Sequence, residues 1–433
     1  MELFLITVFL VLILIILEIP VGFAFGMGAI FYGLAGGGDI SYHASQGFFQ
    51  ISAFSLLALP LFVLAGTMMG ACGISERLLD FVNAFVGRRR GGLGVVTVVA
   101  CALFGAISGS AAAAIAAIGK VIAPRMLEEG YESSYVTALI AVSSVLALMI
   151  PPSIPMVVFA IAARQSVAEC FLSTMIPGIL LAAVYSLLNL LFLRNDIRIK
   201  VNPPMPARDV YREILSTGKK AIWALIMPLI VLGGIYGGIF SPTEAGAVAF
   251  VYALFVGRFI YKDLSWEKFY EAVYDSSKLS GSVVIVLFFL FVMSRGMILA
   301  RIPNQFAEML LGISENKIIL LIIINFILFA MGMVIDDISG GVLAAIILMP
   351  VVQKIGVNPL HFAAIVGTNL GLGNITPPCA PLLYMAGGVT KIPLQAYFKP
   401  AMKFLLLGHL PLVFVVTFVP QLSLFLPTLY RGH

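Results

Sequence analysis

Charge is what this sequence has least of. Across 433 residues only 11% are Asp, Glu, Lys or Arg, against about 25% in an average soluble domain, while 61% are apolar. That is too thin a charged skin to keep a chain of this length in solution, which excludes an ordinary soluble enzyme and a disordered chain. The 26 basic and 21 acidic residues leave a net +5 spread along the chain, so there is no basic patch for nucleic acid. Cysteine is also scarce. Cys72, Cys101, Cys170 and Cys379 lie far apart in apolar contexts, with no CxxC or Cys/His grouping, and read as small buried residues rather than a disulfide framework or zinc site. Catalytic signatures are missing too. Neither HExxH nor GxSxG occurs, and Gly119-Lys120 is no phosphate loop, because Val121 stands where Ser/Thr is needed and Ala114 where the leading glycine belongs. This argues against an intramembrane hydrolase and against a nucleotide site of an ATP-driven permease. The first apolar segment, from Leu3, lacks a basic flank and a small-residue cleavage site, and is expected to be a retained helix rather than a removed signal.

What the chain has is apolar runs of membrane-spanning length from end to end, at 3–35, 52–70, 92–108, 111–126, 134–164, 170–193, 221–240, 243–261, 281–300, 317–335, 338–355, 360–388 and 404–428. They are continuous rather than alternating, hence helices and not barrel strands. Glu18-Ile19-Pro20 interrupts the first, which is either one tilted helix or two. The scarce charge is placed where it orients the chain. Arg88-Arg89-Arg90 and the basic stretch 194–220 belong in the cytoplasm by the positive-inside rule. Trp266, Phe269, Tyr270, Val273 and Tyr274 recur at helical spacing among charges, which predicts an interfacial amphipathic helix over 264–277 rather than a span. Ser241-Pro242-Thr243-Glu244 reads as a capped helix start, which accounts for an acidic residue at that depth.

The informative feature is a duplication. At a separation of 226 residues Gly70 pairs with Gly296, Pro124 with Pro350, Gly130 with Gly356, Pro151-Pro152 with Pro377-Pro378, and Pro155 with Pro381. Glycines and prolines in register carry weight because each fixes backbone geometry. Segment 92–126 is a helix pair with a small polar tip, Gly105 to Ser110, and both of its charged ends belong on one side, so it is re-entrant. Five crossings then separate the two copies, an odd number, so the repeats are inverted, as in secondary transporters. The expected organisation is an all-α polytopic membrane protein: N-terminal helix or helices in 1–50; a first repeat in 51–193 with hairpin 92–126 and broken helix 134–164; a linking region 194–280; and a second repeat in 281–433 with hairpin 317–355 and broken helix 360–388.

The breaks, Ile150-Pro151-Pro152-Ser153-Ile154-Pro155 and Asn374 to Pro381, free carbonyls at mid-membrane depth. Such oxygens suit a small cation such as Na⁺, and the half-helix N-termini beyond them suit an anion. Each hairpin tip, Gly105–Ser110 and Met331–Gly340, should meet a break. Simple helix packing and simple kinks are the competing explanation for any one of these elements. Asp336-Asp337 is either a helix cap or an ion ligand, with Asp336 the better ligand. Arg295 and Arg301 either snorkel to the interface or bind an anion, and His361 reads as structural.

In combination Ile107-Ser108-Gly109-Ser110, Ala123-Pro124, Gly130-Tyr131, Ile150 to Pro155, Ser241-Pro242-Thr243-Glu244-Ala245 and Thr376-Pro377-Pro378 resemble the large, DctM-like membrane subunit of tripartite ATP-independent periplasmic (TRAP) transporters, over nearly the whole chain. The resemblance implies a sodium-driven importer of carboxylate-bearing solutes in the bacterial inner membrane, an elevator-type architecture with scaffold and transport domains, and no organic cofactor. It also implies two partners, a small four-helix (Q-type) membrane subunit and a periplasmic (P-type) substrate-binding protein. The small subunit is expected to be separate, since no additional four-helix region precedes the matched part. Carried over residue by residue, a first sodium site involves Gly105, Ser108, Ser110, Ile150 and Pro151, and a second Gly332, Asp336, Asn374 and Thr376. The substrate carboxylate would lie near Ser108, Gly109, Ser110, Ser153 and Thr376. Members of the family often carry Asp-Pro-Thr at the second tip, whereas this chain has Asp336-Asp337-Ile338-Ser339. The substrate therefore stays open between a sugar acid, sialic acid in particular, and a four-carbon dicarboxylate.

Overall fold

In the computed structural model, which describes residues 2–36, 40–200 and 206–432, the ordered elements are helices, with no β-strand among the described residues. Eight of the described helices are long and apolar enough to cross a membrane, and Ser133–Met149 with Ile154–Ala163 reaches that length and composition as a pair bent by 42° at its break. The first apolar run is two helices, Glu2–Ile16 and Val21–Ala35. The break falls at Glu18, whose φ is +63°, and Pro20. Ser241 caps Pro242–Phe255 through a full capping box with Glu244. The region 264–277 differs from expectation. It is no separate interfacial helix but the start of one helix, Trp266–Leu299, 34 residues long. Trp266, Tyr270 and Tyr274 form its exposed stripe, four residues apart, while Ala272 and Ser276 are buried on the opposite side. No Pro or Gly lies between this stripe and the apolar part until Gly281, so nothing stops helix propagation there.

The duplication is visible element by element. Helices starting at Ala111, Ser133 and Ile154 in the first copy correspond to those starting at Asp337, Pro359 and Pro381 in the second, at separations of 226, 226 and 227 residues. Gly130 and Gly356, paired in the sequence, both adopt positive φ, +90° and +68°, at the turn between hairpin and broken helix. No side chain adopts that conformation easily.

Each hairpin is a pair of helices joined by two residues. Gly92–Ser108 and Ala111–Glu128 meet at Gly109-Ser110, and Lys317–Val334 and Asp337–Lys354 meet at Ile335-Asp336. A two-residue link leaves room only for antiparallel arms. The copies pack by exchange. Ala111–Glu128 of the first hairpin lies against Pro381–Thr390 of the second broken helix, and Asp337–Leu343 of the second hairpin against Ile154–Ala163 of the first. The other halves exchange likewise, Ser133–Ser144 with Leu394–Phe404 and Pro359–Gly373 with Val167–Leu193. Beside this interlocked body stands a second group of helices, in which Ala58–Ala71 packs on Pro242–Phe255 and Trp266–Leu299 on Val21–Ala35, joined where Ala58–Ala71 meets Trp266–Leu299.

Close approach of backbones holds each hairpin to its own broken helix. A Cβ on Gly105 would lie 2.4 Å from Ala147 Cα, and one on Gly373 2.3 Å from the carbonyl carbon of Gly332. Gly373→Ala is expected to destabilise the protein by about 1–3 kcal/mol. Gly388→Ala, where a Cβ meets nothing within 4 Å, is expected to be neutral or to stabilise by up to about 1 kcal/mol. Thermal unfolding of the two variants in detergent reads the difference, and equal midpoints would refute the close-packing account.

Candidate functional site

Both tips meet their breaks. At the first, Gly109 ends Gly92–Ser108 in the left-handed conformation, with φ +63°. Ser110 caps the next arm, its Oγ accepting from Ala113 N at 3.3 Å. The broken helix is pinned to this tip by Ile154 N donating to Gly109 O at 3.2 Å. At the second, Cys379 N donates to Met333 O at 3.1 Å. One backbone N–H at each break is therefore answered by a hairpin carbonyl, as a membrane interior requires.

Asp336 caps Asp337–Leu343. Its Oδ2 accepts from Ile338 N and Ser339 N, both at 3.1 Å. The cap thus belongs to Asp336, the residue expected as the better ligand, and Asp337 is the first helical residue. Both cap bonds use one oxygen, so Asp336 can cap and still offer Oδ1 to another partner.

A cavity of about 250 Å³ lies where the two tips come together. The first residues of four helices, Ala111, Ile154, Asp337 and Pro381, all line it. Helix N-termini carry partial positive charge, and the lining of this cavity holds no Lys, Arg or His. The acidic side chains there are Asp336 and Asp337.

Of the residues expected to bind substrate, Gly109 and Ser110 line this cavity. Ser108 lies one residue behind the tip, its Oγ 3.4 Å from Ser110 N. Ser153 and Thr376 do not line the cavity, and their hydroxyls donate to Leu148 O at 2.5 Å and Leu372 O at 2.8 Å. Of the residues expected around sodium, Gly105 and Gly332 are the close-packing glycines, and Asp336 is in the cavity wall. Ile150 is extended at the end of Leu146–Met149, and the Pro151–Pro152 peptide beyond it is cis, as is Pro377–Pro378. Asn374 ends Pro359–Gly373, fully buried, with neither side-chain amide atom hydrogen-bonded. Neither Arg295 nor Arg301 lines the cavity. His361 is engaged with Val416 O at 2.9 Å, a structural contact. The cavity also takes in Ala111 and Ser282, which motif reading had left out, and Asp337, which it had weighed as cap or ion ligand. Ala111 and Asp337 were recoverable, because they stand in register at the same separation of 226 as the paired prolines. Ser282, on the long helix, carried no such signal.

Residues 7–422 match the family described as "Tripartite ATP-independent periplasmic transporter, DctM component". The chain belongs to this family. Among curated relatives it is 33% identical over 445 residues to the C4-dicarboxylate TRAP transporter large permease protein DctM of Vibrio cholerae, covering 98% of this chain and 97% of that one. It is 33% identical to the sialic acid TRAP transporter large permease protein SiaM of the same organism, over 96% of both chains. It is also 33% identical to the isethionate TRAP transporter permease protein DctMQ of Oleidesulfovibrio alaskensis, where it covers 95% of this chain but spans only 64% of that longer one. In fold it resembles the YdaH transporter of Alcanivorax borkumensis, with a TM-score of 0.59 and 15% identity, covering 87% of this chain and 88% of the other. As a TRAP large-permease family member the protein is a multi-pass membrane transporter subunit and not an enzyme.

Because the second tip of this TRAP subunit is held by the Asp336 cap, Asp336→Ala is expected to cost about 1 kcal/mol of stability, and Asp336→Asn, which keeps an acceptor oxygen, only a fraction of that. Thermal denaturation of both variants checks this; an undiminished midpoint for Asp336→Ala would show the cap to be idle.

Proposed function

We propose that this protein is the solute-conducting subunit of a sodium-coupled importer of a carboxylate-bearing solute, working with a small four-helix membrane subunit and a periplasmic substrate-binding protein. The observation that carries the reading is the convergence of four helix N-termini on one cavity between the hairpin tips. Such an array holds an anion without a basic side chain. A carboxylate there would share the cavity with Asp336 and Asp337, and like charges in a low-dielectric site need a cation between them. Sodium at the tip–break junctions supplies it, through Gly105, Ser108, Ser110, Ile150 and Pro151 on one side and Gly332, Asp336, Asn374 and Thr376 on the other. The buried, unpartnered amide of Asn374 supports the second junction, since a side-chain oxygen without a partner is costly unless a ligand meets it. Each net positive charge carried inward gains about 2.3 kcal/mol per 100 mV, enough to drive accumulation.

The interlocked body of hairpins and broken helices beside a separate helix group supports an elevator mode, in which that body carries the solute past the scaffold. For the substrate, we favour a sugar acid such as sialic acid, with a four-carbon dicarboxylate as the second reading. Both are named among the relatives. The cavity lining holds no basic side chain to anchor a second carboxylate, which favours a solute with a single one.

Uptake of labelled sialic acid or succinate into proteoliposomes holding the complete transporter is expected to cease when Na⁺ is replaced by K⁺. Asp336→Asn is expected to raise the Na⁺ concentration for half-maximal uptake about tenfold, the equivalent of about 1.4 kcal/mol. Uptake indifferent to the K⁺ exchange would end the coupling claim, and an unchanged sodium response in Asp336→Asn would move the site away from the second tip.

A further inference from the structure

A second cavity, of about 450 Å³, lies between the scaffold and the first hairpin. Its inner end is Gly66, where a Cβ would stand 2.7 Å from Ser108 Cβ, so it reaches the back of the first tip. Its walls are small, Gly70 and Gly73 on one side and Ala113, Ala116 and Ala117 on the other, and its rim is charged. The rim lies on the side that the positive-inside rule assigns to the cytoplasm. Arg125 on the same hairpin arm pairs with Asp80 at 2.7 Å, and Arg88 pairs with Glu213.

One part of the wall is built for an anion. Helix Ile74–Val86 starts there, and its first turn has no side-chain cap, the N-cap position being Gly73 with φ +64°. Ser75, in that first turn, is 4% exposed, lines the cavity, and its Oγ has no hydrogen-bond partner. A buried hydroxyl without a partner is a cost that a ligand would remove. Lys120, on the hairpin arm, lines the same cavity. We propose that the Ser75 hydroxyl, the N-terminus of Ile74–Val86 and the Lys120 ammonium form a way station for the carboxylate of the solute between the tip cavity and the cytoplasm.

This deepens the transport reading and rests on it for the identity of the solute. The station binds weakly by construction. Glu76, Glu271 and Asp275 share the cavity with Lys120 and Lys268, so an anion meets attraction at the wall and repulsion at the rim, as an exit path requires. Lys120 rides on the hairpin and Ser75 on the helix beside it, so the station is assembled only while the two face each other as they do here.

The test needs no knowledge of the solute. In the full-length protein with Cys379, the one partly exposed cysteine, changed to Ser, an Ala116→Cys reporter is labelled with two thiol reagents, an anionic sulfonatoethyl and a cationic trimethylammonioethyl methanethiosulfonate. Lys120→Gln is expected to lower the ratio of anionic to cationic labelling rates about fivefold, and Ser75→Ala about threefold. Lys120→Arg, which keeps the charge, is expected to leave the ratio near its starting value and controls for folding. A ratio unmoved by both Lys120→Gln and Ser75→Ala would overturn the station, and so would a fall of equal size in Lys120→Arg. The readout is independent of sodium and of uptake, so a failure of the coupling claim and a failure of the station are told apart.

Discussion

A helix that breaks inside a membrane leaves N–H and C=O groups that lipid cannot answer, and the arrangement of this protein follows from that constraint. The Pro-Pro pairs at 151–152 and 377–378 remove donors and end the preceding helices. Something with free backbone must then come to each break, and the end of each hairpin's first arm does so, through Ile154 N to Gly109 O and Cys379 N to Met333 O. Tip and break can approach this closely only where side chains are absent, which is the work of Gly105 and of the Gly332–Gly373 contact. Once tip and break are locked, the next helices start at the same place. Four N-termini around one cavity are therefore a by-product of satisfying the backbone, and their partial positive charge comes with them.

The exchange between copies makes this local solution a single body. Each hairpin leans on its own broken helix at the tip and on the other copy's along its second arm. Buried polar contacts tie further elements into the same body. Asn369 Nδ2 donates to Asn325 Oδ1 at 2.6 Å and Thr417 Oγ1 to the same oxygen at 3.1 Å, linking the second hairpin, its broken helix and the last long helix. His409 is held between Tyr185 Oη at 3.0 Å and Thr368 O at 2.9 Å. The carbonyl can only accept, so Nε2 carries the proton and Nδ1 accepts from Tyr185. Fully buried bonds of this kind favour one arrangement over near alternatives, as a unit that moves as a whole would need.

Legibility in the sequence followed the hardness of the constraint. Pro151-Pro152, Pro377-Pro378, Gly130, Gly356 and the Ser241 capping box were readable because proline, glycine at positive φ and a capping side chain each impose a geometry without help from distant residues. What depended on distant partners was not readable. The exchange of arms between copies leaves no mark in either copy alone. The assignment of the cap to Asp336 rather than Asp337 turned on a one-residue choice of helix start, which adjacent aspartates do not specify. The stretch 264–277 has the composition of an interfacial helix, yet it continues into the next span because nothing in it stops propagation.

The duplication is not a perfect symmetry, and the departure bears on how the protein would work. At the same separation of 226 residues, Phe104, Ala117 and Val121 around the charge-rimmed cavity beside the first hairpin correspond to Ala330, Leu343 and Ile347 around a cavity of about 420 Å³ beside the second. That second cavity is lined almost wholly by apolar side chains, Phe4, Phe25, Phe306 and Phe326 among them. A cavity so lined offers water almost no hydrogen-bonding partner. A polar route on that side therefore does not arise by flooding the space already present, since a charged solute would meet no hydrogen-bonding partner there. It has to arise by bringing polar surface into the gap, and the polar surface at hand is on the interlocked body, at the hairpin tips. Displacement of that body as a unit, the elevator mode proposed above, would supply this, while opening of the second hairpin alone would not. The unequal cavities thus support the proposed elevator movement over a pair of mirror-image gates, even though the chain is built from two matching halves.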